Sequence, residues 1–356
     1  MTPSSAVLVR PLLCGYYGEH NIGDDALLQA LLQSLPAEAR PCITAADQQQ
    51  VQQQFGVDSC DRRSLRSTLG SLGDCDGLIL GGGSLLQDST SWRSLLYYAV
   101  LIGTARLQGK PVILWAQGLG PLRRRRSRLL VGRLLPLVAA ASWRDHQSAQ
   151  LAQRLGGVSR SADIVGADPV WTLAPMHWRG RGGPIVLAWR SSGQLRDDDW
   201  SCLLEALAAL AEQNDRQVLW LPLHDGQDCG LMEGLQQRGF MPEPLARRSR
   251  EIRLQRPEEL MAQASAAGLV LAMRLHGLIL SALAGAPVSA LSYDPKVAAA
   301  AEALGCPWAD LQQLPAAEDL TTGWQQQLDQ PLPSAAIRRQ VQAAAMHQAV
   351  LKPAIP

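Results

Sequence analysis

The feature that most constrains the fold is a regular alternation of short apolar segments with longer segments of helical periodicity. In the first half, apolar runs such as Val7 to Cys14 and Gly77 to Leu80 predict buried strands. Between them, Asp24 to Ser34 carries apolar residues at helical spacing. Strands that are separated by helices pair in parallel and carry helices on both faces. The alternation therefore predicts an α/β fold built on parallel sheet.

The alternation breaks at a polar, glycine-rich segment and then restarts. A chain of 356 residues is also long for a single domain. We therefore expect an N-terminal α/β domain over residues 1–175, a linker over 176–184 and a C-terminal α/β domain over 185–330. A last helix and tail, 331–356, are expected to pack on the N-terminal domain. The predicted class is α/β, with two Rossmann-like domains whose parallel sheets face a cleft.

Composition excludes several classes of protein. The formal net charge is only +1, so no strong overall field attracts nucleic acid. The seven cysteines include no CxxC pair, which argues against a disulfide framework or a zinc site. The longest apolar stretch, residues 277–291, is short for a membrane span, and residues 6–9 do not make a secretory signal. We expect a soluble cytoplasmic protein without a nucleic-acid partner.

The strongest chemical signal is Met273-Arg274-Leu275-His276, which follows the apolar run from Gly268 to Ala272. Ligands of open α/β sheets bind at the carboxyl ends of strands. Arg274 offers a planar fork that matches a carboxylate or phosphate, and His276 offers a proton near neutral pH. The alternative is a strand-end salt bridge with a capping histidine. The pair suits a small anionic ligand that must also be protonated.

Three further cationic or titratable residues follow predicted strands of the second half. Arg190 and His224 each close a strand, and Lys296 follows a proline turn after the next one. The carboxyl ends of parallel strands meet at one edge of a sheet. Any one of these residues could be structural, but their convergence on one edge favours a shared ligand-binding role.

A glycine-rich loop follows the first strand and leads into the first helix. Glycine lets the backbone approach a ligand, and a helix N-terminus favours anions. The loop is neither a Walker loop nor a dinucleotide fingerprint, because its glycines have the spacing G-x-x-G-x-x-x-x-G. The alternative for Asp24 and Asp25 is simple helix capping. The candidate binding residues here are Gly15, Gly18, Asn21, Gly23 and Asp24.

Three later strand ends of the first half carry similar signals. Gly81, Gly82 and Gly83, with Ser84, follow a buried strand and could form an anion-binding concavity, or Ser84 could cap a helix. Gln117 lies in a glycine turn and either contacts a sugar or stabilises the turn. Arg144 is either an anion clamp or the surface partner of Asp145.

The run Arg123 to Arg126, with Arg128 and Arg133, is unusually basic. Positive charge at a helix start opposes the helix dipole, so local helix stability does not explain it. The plain interpretation is a solvated basic face. The functional one is a peripheral contact with anionic lipid, or with a diphosphate-carrying acceptor at the membrane surface, through Arg123 to Arg133.

Together these motifs resemble the polysaccharide pyruvyl transferases, especially the bacterial branch that modifies cell-wall polymers anchoring surface-layer proteins. Each motif is weak alone, and all occur in family order from about residue 12 to 300. Two departures are His20 and Gly277. The motifs run Gly15-Tyr16-Tyr17-Gly18 to Asn21-Ile22-Gly23-Asp24-Asp25-Ala26, Gly81 to Asp88, Ala116 to Pro121, Arg144-Asp145 to Ser148, Ala167-Asp168-Pro169, Met273 to His276, and Ser292 to Lys296.

The resemblance implies a fold similar to two-domain glycosyltransferases of the GT-B type and phosphoenolpyruvate as donor substrate, without a metal or a further cofactor. It assigns donor binding and catalysis to Arg274 and His276 and a cyclic pyruvate ketal on a sugar as product. The acceptor, a sugar or lipid-linked oligosaccharide, is expected on the N-terminal domain. Two alternatives stay open: a GT-B nucleotide-sugar glycosyltransferase, with Glu258 or Asp294 holding a ribose, and a non-catalytic binding protein of the same fold.

Overall fold

A computed structural model describes residues 8–89, 91–158 and 164–351. The chain forms two compact units, each an α/β domain on a parallel sheet. Within the described residues, the first sheet has the strand order β3-β2-β1-β4-β5-β6-β7, and all its strand pairs are parallel. Its strands are β1 (Pro11–Tyr17), β2 (Cys42–Ala45), β3 (Asp58–Asp61), β4 (Gly77–Leu80), β5 (Val112–Gln117), β6 (Ala140–Trp143) and β7 (Ile164–Val165).

Helices connect these strands, as the alternation predicted. Short 3₁₀ turns at Leu135–Leu137 and Pro169–Thr172 complete the connections. The helices are α1 (Ile22–Ser34), α2 (Gln48–Phe55), α3 (Leu65–Asp74), α4 (Trp92–Leu107), α5 (Arg125–Leu134) and α6 (His146–Arg154).

The second sheet repeats the same winding. Its order among the described residues is β10-β9-β8-β11-β12-β13, and its pairs are parallel. The strands are β8 (Ile185–Ala188), β9 (Val218–Trp220), β10 (Ser249–Glu251), β11 (Leu269–Ala272), β12 (Val288–Ser292) and β13 (Trp308–Asp310). The helices are α7 (Asp197–Gln213), α8 (Asp225–Asp228), α9 (Leu231–Gln237), α10 (Glu243–Arg248), α11 (Pro257–Ser265), α12 (Leu275–Leu283), α13 (Pro295–Leu304), α14 (Ala317–Gln327) and α15 (Ser334–Ala345), and a 3₁₀ turn at Met346–Val350 follows.

Each unit has its own apolar core around its central strands. Strands β4 and β11 are buried along their whole length, as is usual for parallel sheets that carry helices on both faces. This explains why their sequences are continuously apolar rather than alternating. A buried tryptophan cluster, in which Trp189 lies 5.5 Å from Trp220 and 6.2 Å from Trp200 between ring centroids, adds to the second core.

The unit boundaries differ from the predicted domain boundaries. The first unit takes in the described residues within 1–19, 27–172 and 340–356, and the second takes in 20–26 and 173–339. The start of α1 therefore groups with the second unit, although the sequence placed it in the N-terminal domain. The reason is backbone pairing: Ile22 N donates to Leu223 O at 2.9 Å, and Asn21 forms an antiparallel bridge with His224.

The predicted linker is a packed segment of the second unit. Trp178 Nε1 donates to Ala267 O at 2.8 Å, and Arg179 N donates to Ser265 O at 2.9 Å. An added Cβ at Gly180 would collide with the backbone of Ala267. The glycines of this segment thus serve close backbone packing as well as a change of direction.

No helix among the described residues has both the length and the apolar character needed to cross a membrane.

Candidate functional site

The second unit gathers its chemistry at the point where the strand order reverses. From β8 the sheet continues through β9 on one side and through β11 on the other, so the crevice at their carboxyl ends is where ligands of such sheets bind. Arg190 follows β8 and Arg274 follows β11. The two strands are in register at Ala188 and Ala272, and Arg274 N donates to Ala188 O at 3.2 Å.

Arg274 is held by a buried carboxylate that the sequence analysis did not identify. Its Nε donates to Asp228 Oδ2 at 3.0 Å, its Nη2 donates to Asp228 Oδ1, and the same nitrogen donates to Gln227 Oε1 at 3.1 Å. The side chain of Asp228 is fully buried and that of Arg274 is 13% exposed. A two-point pair of this kind fixes the plane of the guanidinium.

Asp228 also fixes the loop after β9. Its Oδ2 accepts hydrogen bonds from Leu223 N at 3.2 Å and from His224 N at 3.0 Å. One carboxylate thus ties Arg274 to the loop that carries His224. The segment His224-Asp225-Gly226-Gln227-Asp228 holds two acids just after a strand, which is the signal that could have indicated this residue.

His224 begins α8 and caps it. Its Nδ1 accepts a hydrogen bond from Gly226 N at 3.1 Å, so this ring nitrogen carries no proton. The bridge to Asn21 brings the loop before α1 to the same place. The structure thus brings His224 and Arg274 together through Asp228, and their predicted ligand-binding role stays a prediction.

His276 lies in the first turn of α12, against the start of α1. An added Cβ at Gly23 would collide with Nδ1 of His276, so glycine is required there for close approach. Asn21 Oδ1 accepts from Gly23 N at 3.0 Å, and Asn21 Nδ2 donates to Asp24 Oδ2 at 2.6 Å. Asn21, Gly23 and Asp24 thus form a small hydrogen-bonded turn beside the imidazole.

Arg190, which follows β8, contacts Tyr293, which follows β12, two strands away in the sheet. Its guanidinium lies 4.9 Å from the ring centroid of Tyr293, and Nη1 donates to the Tyr293 hydroxyl at 3.2 Å. Lys296 lies in the first turn of α13, where its backbone N donates to Asp294 Oδ1 at 2.9 Å. Because Asp294 caps that helix, its carboxylate already has a structural role.

A cavity of about 640 Å³ opens in the second unit, and its lining includes Arg190 and Gln227, whose Oε1 accepts from Arg274 Nη2. Burial and the nearby Asp225 raise the pKa of the lining thiol of Cys229 to about 11, which makes it a poor nucleophile at neutral pH. The polar lining residues are Arg190, Ser191, Ser192, Gln227, Cys229 and Arg238.

In the first unit, three predicted strand ends meet around Arg144. Nη1 of Arg144 donates to Asp168 Oδ2 at 3.3 Å, and Nη2 donates to Ser84 Oγ at 3.0 Å. A Cβ at Gly118 would lie 2.5 Å from Ser84 Oγ and 2.9 Å from Arg144 Nε. Of the two alternatives for Arg144, the surface pair with Asp145 is wrong, because Asp145 caps α6 by accepting from Ser148 N at 2.7 Å.

Several predicted binding residues of the first unit have packing roles in the structure. Gln117 is fully buried, and its Nε2 donates to Leu80 O at 3.1 Å and Gly81 O at 3.0 Å, so the amide stabilises the turn. Gly15 lies inside β1 against the Tyr17 ring. A Cβ at Gly81 would strike the Tyr17 hydroxyl, and one at Gly82 would lie 2.8 Å from Leu27 Cδ2.

Two other glycines among the predicted binding residues, Gly18 and Gly83, have a positive φ. Gly18, at φ +69°, would bring a Cβ within 2.7 Å of Asp47 N. Gly83, at φ +88°, ends the turn after β4, and Gly118 N donates to Gly83 O at 2.7 Å. Both positions need glycine for backbone reasons, independently of any ligand.

Among the described residues, no group of three or more His, Cys, Asp or Glu side chains is arranged to hold a metal ion. All seven cysteines are free thiols, and five of them are buried.

Comparison with known sequences and structures gives the following similarities. Residues 21–295 match the sequence model of the polysaccharide pyruvyl transferases. A search among curated proteins found no match.

Solved structures with similar folds are GT-B-like enzymes. HepE of Anabaena, in complex with UDP-glucose, is 13% identical with a TM-score of 0.57, over 96% of this chain and 98% of that one. The UDP-GlcNAc 2-epimerase of Methanocaldococcus jannaschii is 10% identical with a TM-score of 0.62, over 96% and 98%. The epimerase of Neisseria meningitidis bound to UDP-GlcNAc is 13% identical with a TM-score of 0.59, over 96% and 99%. At such identities the likeness concerns the fold alone.

Proposed function

The chain belongs to the polysaccharide pyruvyl transferase family, and on this basis we propose that it transfers pyruvate from phosphoenolpyruvate to a sugar of a cell-surface polysaccharide or its lipid-linked precursor. It is an enzyme of the pyruvyl transferase kind. The finer proposal is that the product is a cyclic ketal, that phosphate is released, and that the polymer is a cell-wall polymer of the surface-layer-anchoring type.

The observation that carries the proposal is the grouping of Arg274, Arg190 and His276 at the strand-order reversal of the second unit. Phosphoenolpyruvate carries a carboxylate and a phosphate a few bonds apart. Two arginines after neighbouring strands suit these two anions. Because Asp228 fixes Nε and Nη2 of Arg274, we assign ligand binding to the remaining edge of that guanidinium, on the Nη1 side.

The chemistry assigned to these residues is proton transfer and charge stabilisation. A proton added to the methylene carbon makes carbon 2 electrophilic, and a sugar hydroxyl then bonds to carbon 2 and loses its proton. The bond from carbon 2 to the phosphate oxygen breaks, and phosphate leaves with the electron pair. A second hydroxyl closes the ketal, and its proton goes to solvent or phosphate. His276 is the proposed proton donor, and the arginines stabilise the leaving phosphate.

The remaining candidates have supporting roles in the proposal. His224, Asn21, Gly23 and Asp24 shape the wall beside His276. Lys296 follows β12, the neighbour of β11 in the sheet, and is proposed to bind the phosphate. The first unit is proposed to hold the acceptor, with Arg144 and Ser84 as structural supports of its strand ends.

We also propose a peripheral contact with the membrane surface through Arg123 to Arg133, where a lipid-linked acceptor would be met. All six arginines of this run are exposed.

The test is a transfer assay with phosphoenolpyruvate and oligosaccharides released from a bacterial cell-wall polymer. We expect acceptor-dependent release of phosphate and, by NMR, a new methyl singlet on the sugar product. The double variant Arg274→Ala plus His276→Ala should lose both signals. Intact transfer by this variant would show that the site is not catalytic.

Nucleotide-sugar transfer is the second candidate, because the cavity beside Arg190 is larger than phosphoenolpyruvate needs and the similar structures include complexes with UDP-sugars. Sugar transfer from a uridine or guanosine diphosphate sugar, with no effect of phosphoenolpyruvate, would establish it. The described role of Asp294 as a helix cap argues against its use in holding a ribose.

A further inference from the structure

Helices α4 and α5 pack against each other and expose apolar side chains. On α4, the side chains of Leu96, Val100 and Leu107 are 39%, 41% and 91% exposed. Their spacings of four and seven residues place them on one stripe of the helix. On α5, Leu129 is 60% exposed. Aligned apolar residues of this kind at the surface indicate a contact with something other than water.

The charged side chains of the segment that contains α4 and α5 are all positive. Residues 89–143 contain no Asp or Glu, so the arginines are not neutralised from within the segment. Asp88, at its border, accepts hydrogen bonds from Arg123 N at 2.8 Å and Arg124 N at 2.9 Å. The exposed basic residues are Arg93, Arg106, Arg123, Arg124, Arg125, Arg126, Arg128 and Arg133.

Most of these arginines are not needed for local structure. Arg126 stacks over the Trp92 ring at 4.6 Å, and Arg128 Nε donates to Leu122 O at 2.8 Å. In contrast, the start of α5 is capped through backbone groups by Asp88, which does not depend on the side chains of Arg123, Arg124 or Arg125. Positive charge at this helix end is unfavourable for the helix dipole, so its presence points to an external anion.

We propose that these two helices form a docking face for a bilayer with anionic headgroups, in which leucines enter the acyl boundary and arginines bind lipid phosphates. The face, called here the α4–α5 face, consists of Leu96, Val100, Leu107 and Leu129 with Arg123 to Arg126, Arg128 and Arg133. It extends the proposed peripheral contact from charge alone to charge with apolar insertion. The biological purpose of this membrane contact, to reach an acceptor on a lipid carrier, rests on the proposed function. The contact itself does not.

The test is flotation of the full-length protein with vesicles of phosphatidylcholine alone or mixed with phosphatidylglycerol, without substrate. The protein should bind the mixed vesicles, and this binding should weaken as the salt concentration is raised. Each arginine near an anionic surface contributes about fivefold to partitioning, so the triple variant Arg123→Gln, Arg124→Gln and Arg125→Gln should bind about a hundredfold more weakly. The pair Leu107→Ser and Leu129→Ser should remove the binding that survives high salt.

The matched control is the triple variant Arg181→Gln, Arg250→Gln and Arg339→Gln, which removes the same charge from exposed sites outside the face. It should bind like wild type. Equal binding by both triple variants, or wild-type binding by the leucine variant, would overturn the proposal. Transfer to a soluble acceptor, measured on the same variants, should be unchanged. If the wild-type protein shows no pyruvate transfer, this counts against the proposed function, and the vesicle-binding result stands separately.

Discussion

Arg274 owes its orientation to Asp228, which also binds two backbone N–H groups of the loop after β9. The sequence could indicate Arg274, because it ends an apolar strand. It could not indicate that Asp228 pairs with Arg274, since the two residues lie 46 positions apart and the carboxylate lies in a helix of four residues. Tertiary pairing of this kind leaves no periodic signal.

Replacing Asp228 with Asn should lower kcat/KM for phosphoenolpyruvate at least tenfold. An amide has one oxygen that accepts hydrogen bonds, and its nitrogen only donates, so Asn cannot accept from both Nε and Nη2 of Arg274 as the carboxylate does. Asp228→Ala should also destabilise the protein, by about 3–5 kcal/mol, since it leaves a largely buried guanidinium unpaired. Steady-state kinetics and thermal unfolding separate the two effects. A role in stability alone would appear as a lower melting temperature for Asp228→Asn with unchanged kinetics.

At Gly23, the absence of a Cβ atom allows the close approach of the His276 imidazole. Gly23→Ala places a methyl group against Nδ1 of His276, so we expect displacement of the imidazole, a loss of transfer activity and destabilisation by about 1–3 kcal/mol. The matched control is Gly323→Ala in α14, where an added Cβ has no neighbour within 4 Å among the described residues. Equal activity of Gly23→Ala and the control would show that His276 does not need this position.

At the scale of elements, the central strands were predictable and the edge strands were not. β4 and β11 are buried on both faces and therefore apolar throughout. In contrast, β3 and β10, with the sequences DSCD and SRE, lie at sheet edges and owe their form to backbone pairing with β2 and β9. The glycines after β4 indicate a ligand-binding turn from sequence alone, and the structure adds a packing role for two of them, against Tyr17 and Leu27.

The C-terminal 3₁₀ turn contains a buried histidine, His347, whose contribution to the stability of the folded state depends on pH. His347 Nε2 donates to Ala167 O at 2.8 Å, and the ring lies 6.1 Å from that of Trp115 between centroids. Burial lowers the pKa of His347 below its usual 6.5, against a smaller upward effect of the hydrogen bond to Ala167. The folded state therefore resists protonation that the unfolded chain accepts.

Because the folded pKa of His347 is depressed, its contribution to stability is complete above pH 6.5 and is lost as the pH falls toward the folded value. We expect the stability of the His347→Gln variant to fall less at low pH than that of the wild type, since the glutamine amide can donate to Ala167 O and does not titrate. Melting temperatures of both proteins between pH 7.5 and 5.5 test it. Parallel curves for the two proteins would contradict the assignment.

At the scale of the whole molecule, the two units share a winding order but differ in what their strand ends carry. In the first unit, the ends of β1 and β4 are filled by contacts of Tyr17 with glycine. In the second, the ends of β8 and β11 carry Arg190 and Arg274, and Arg190 lines a cavity. The α1 start, residues 20–26, belongs to the second unit and supplies part of the same wall. We therefore propose that phosphoenolpyruvate binds to the second unit.

The measurement that tests this assignment most directly is thermal unfolding with and without phosphoenolpyruvate, on wild type, Arg190→Gln and Arg274→Lys. Ligand at a hundredfold excess over Kd adds about 2.7 kcal/mol, which should raise the melting temperature by several degrees. We predict this rise in wild type and its loss in both variants, whose unliganded melting temperatures serve as the folding control. No rise in wild type, together with a clear rise for a uridine diphosphate sugar, would contradict the donor assignment.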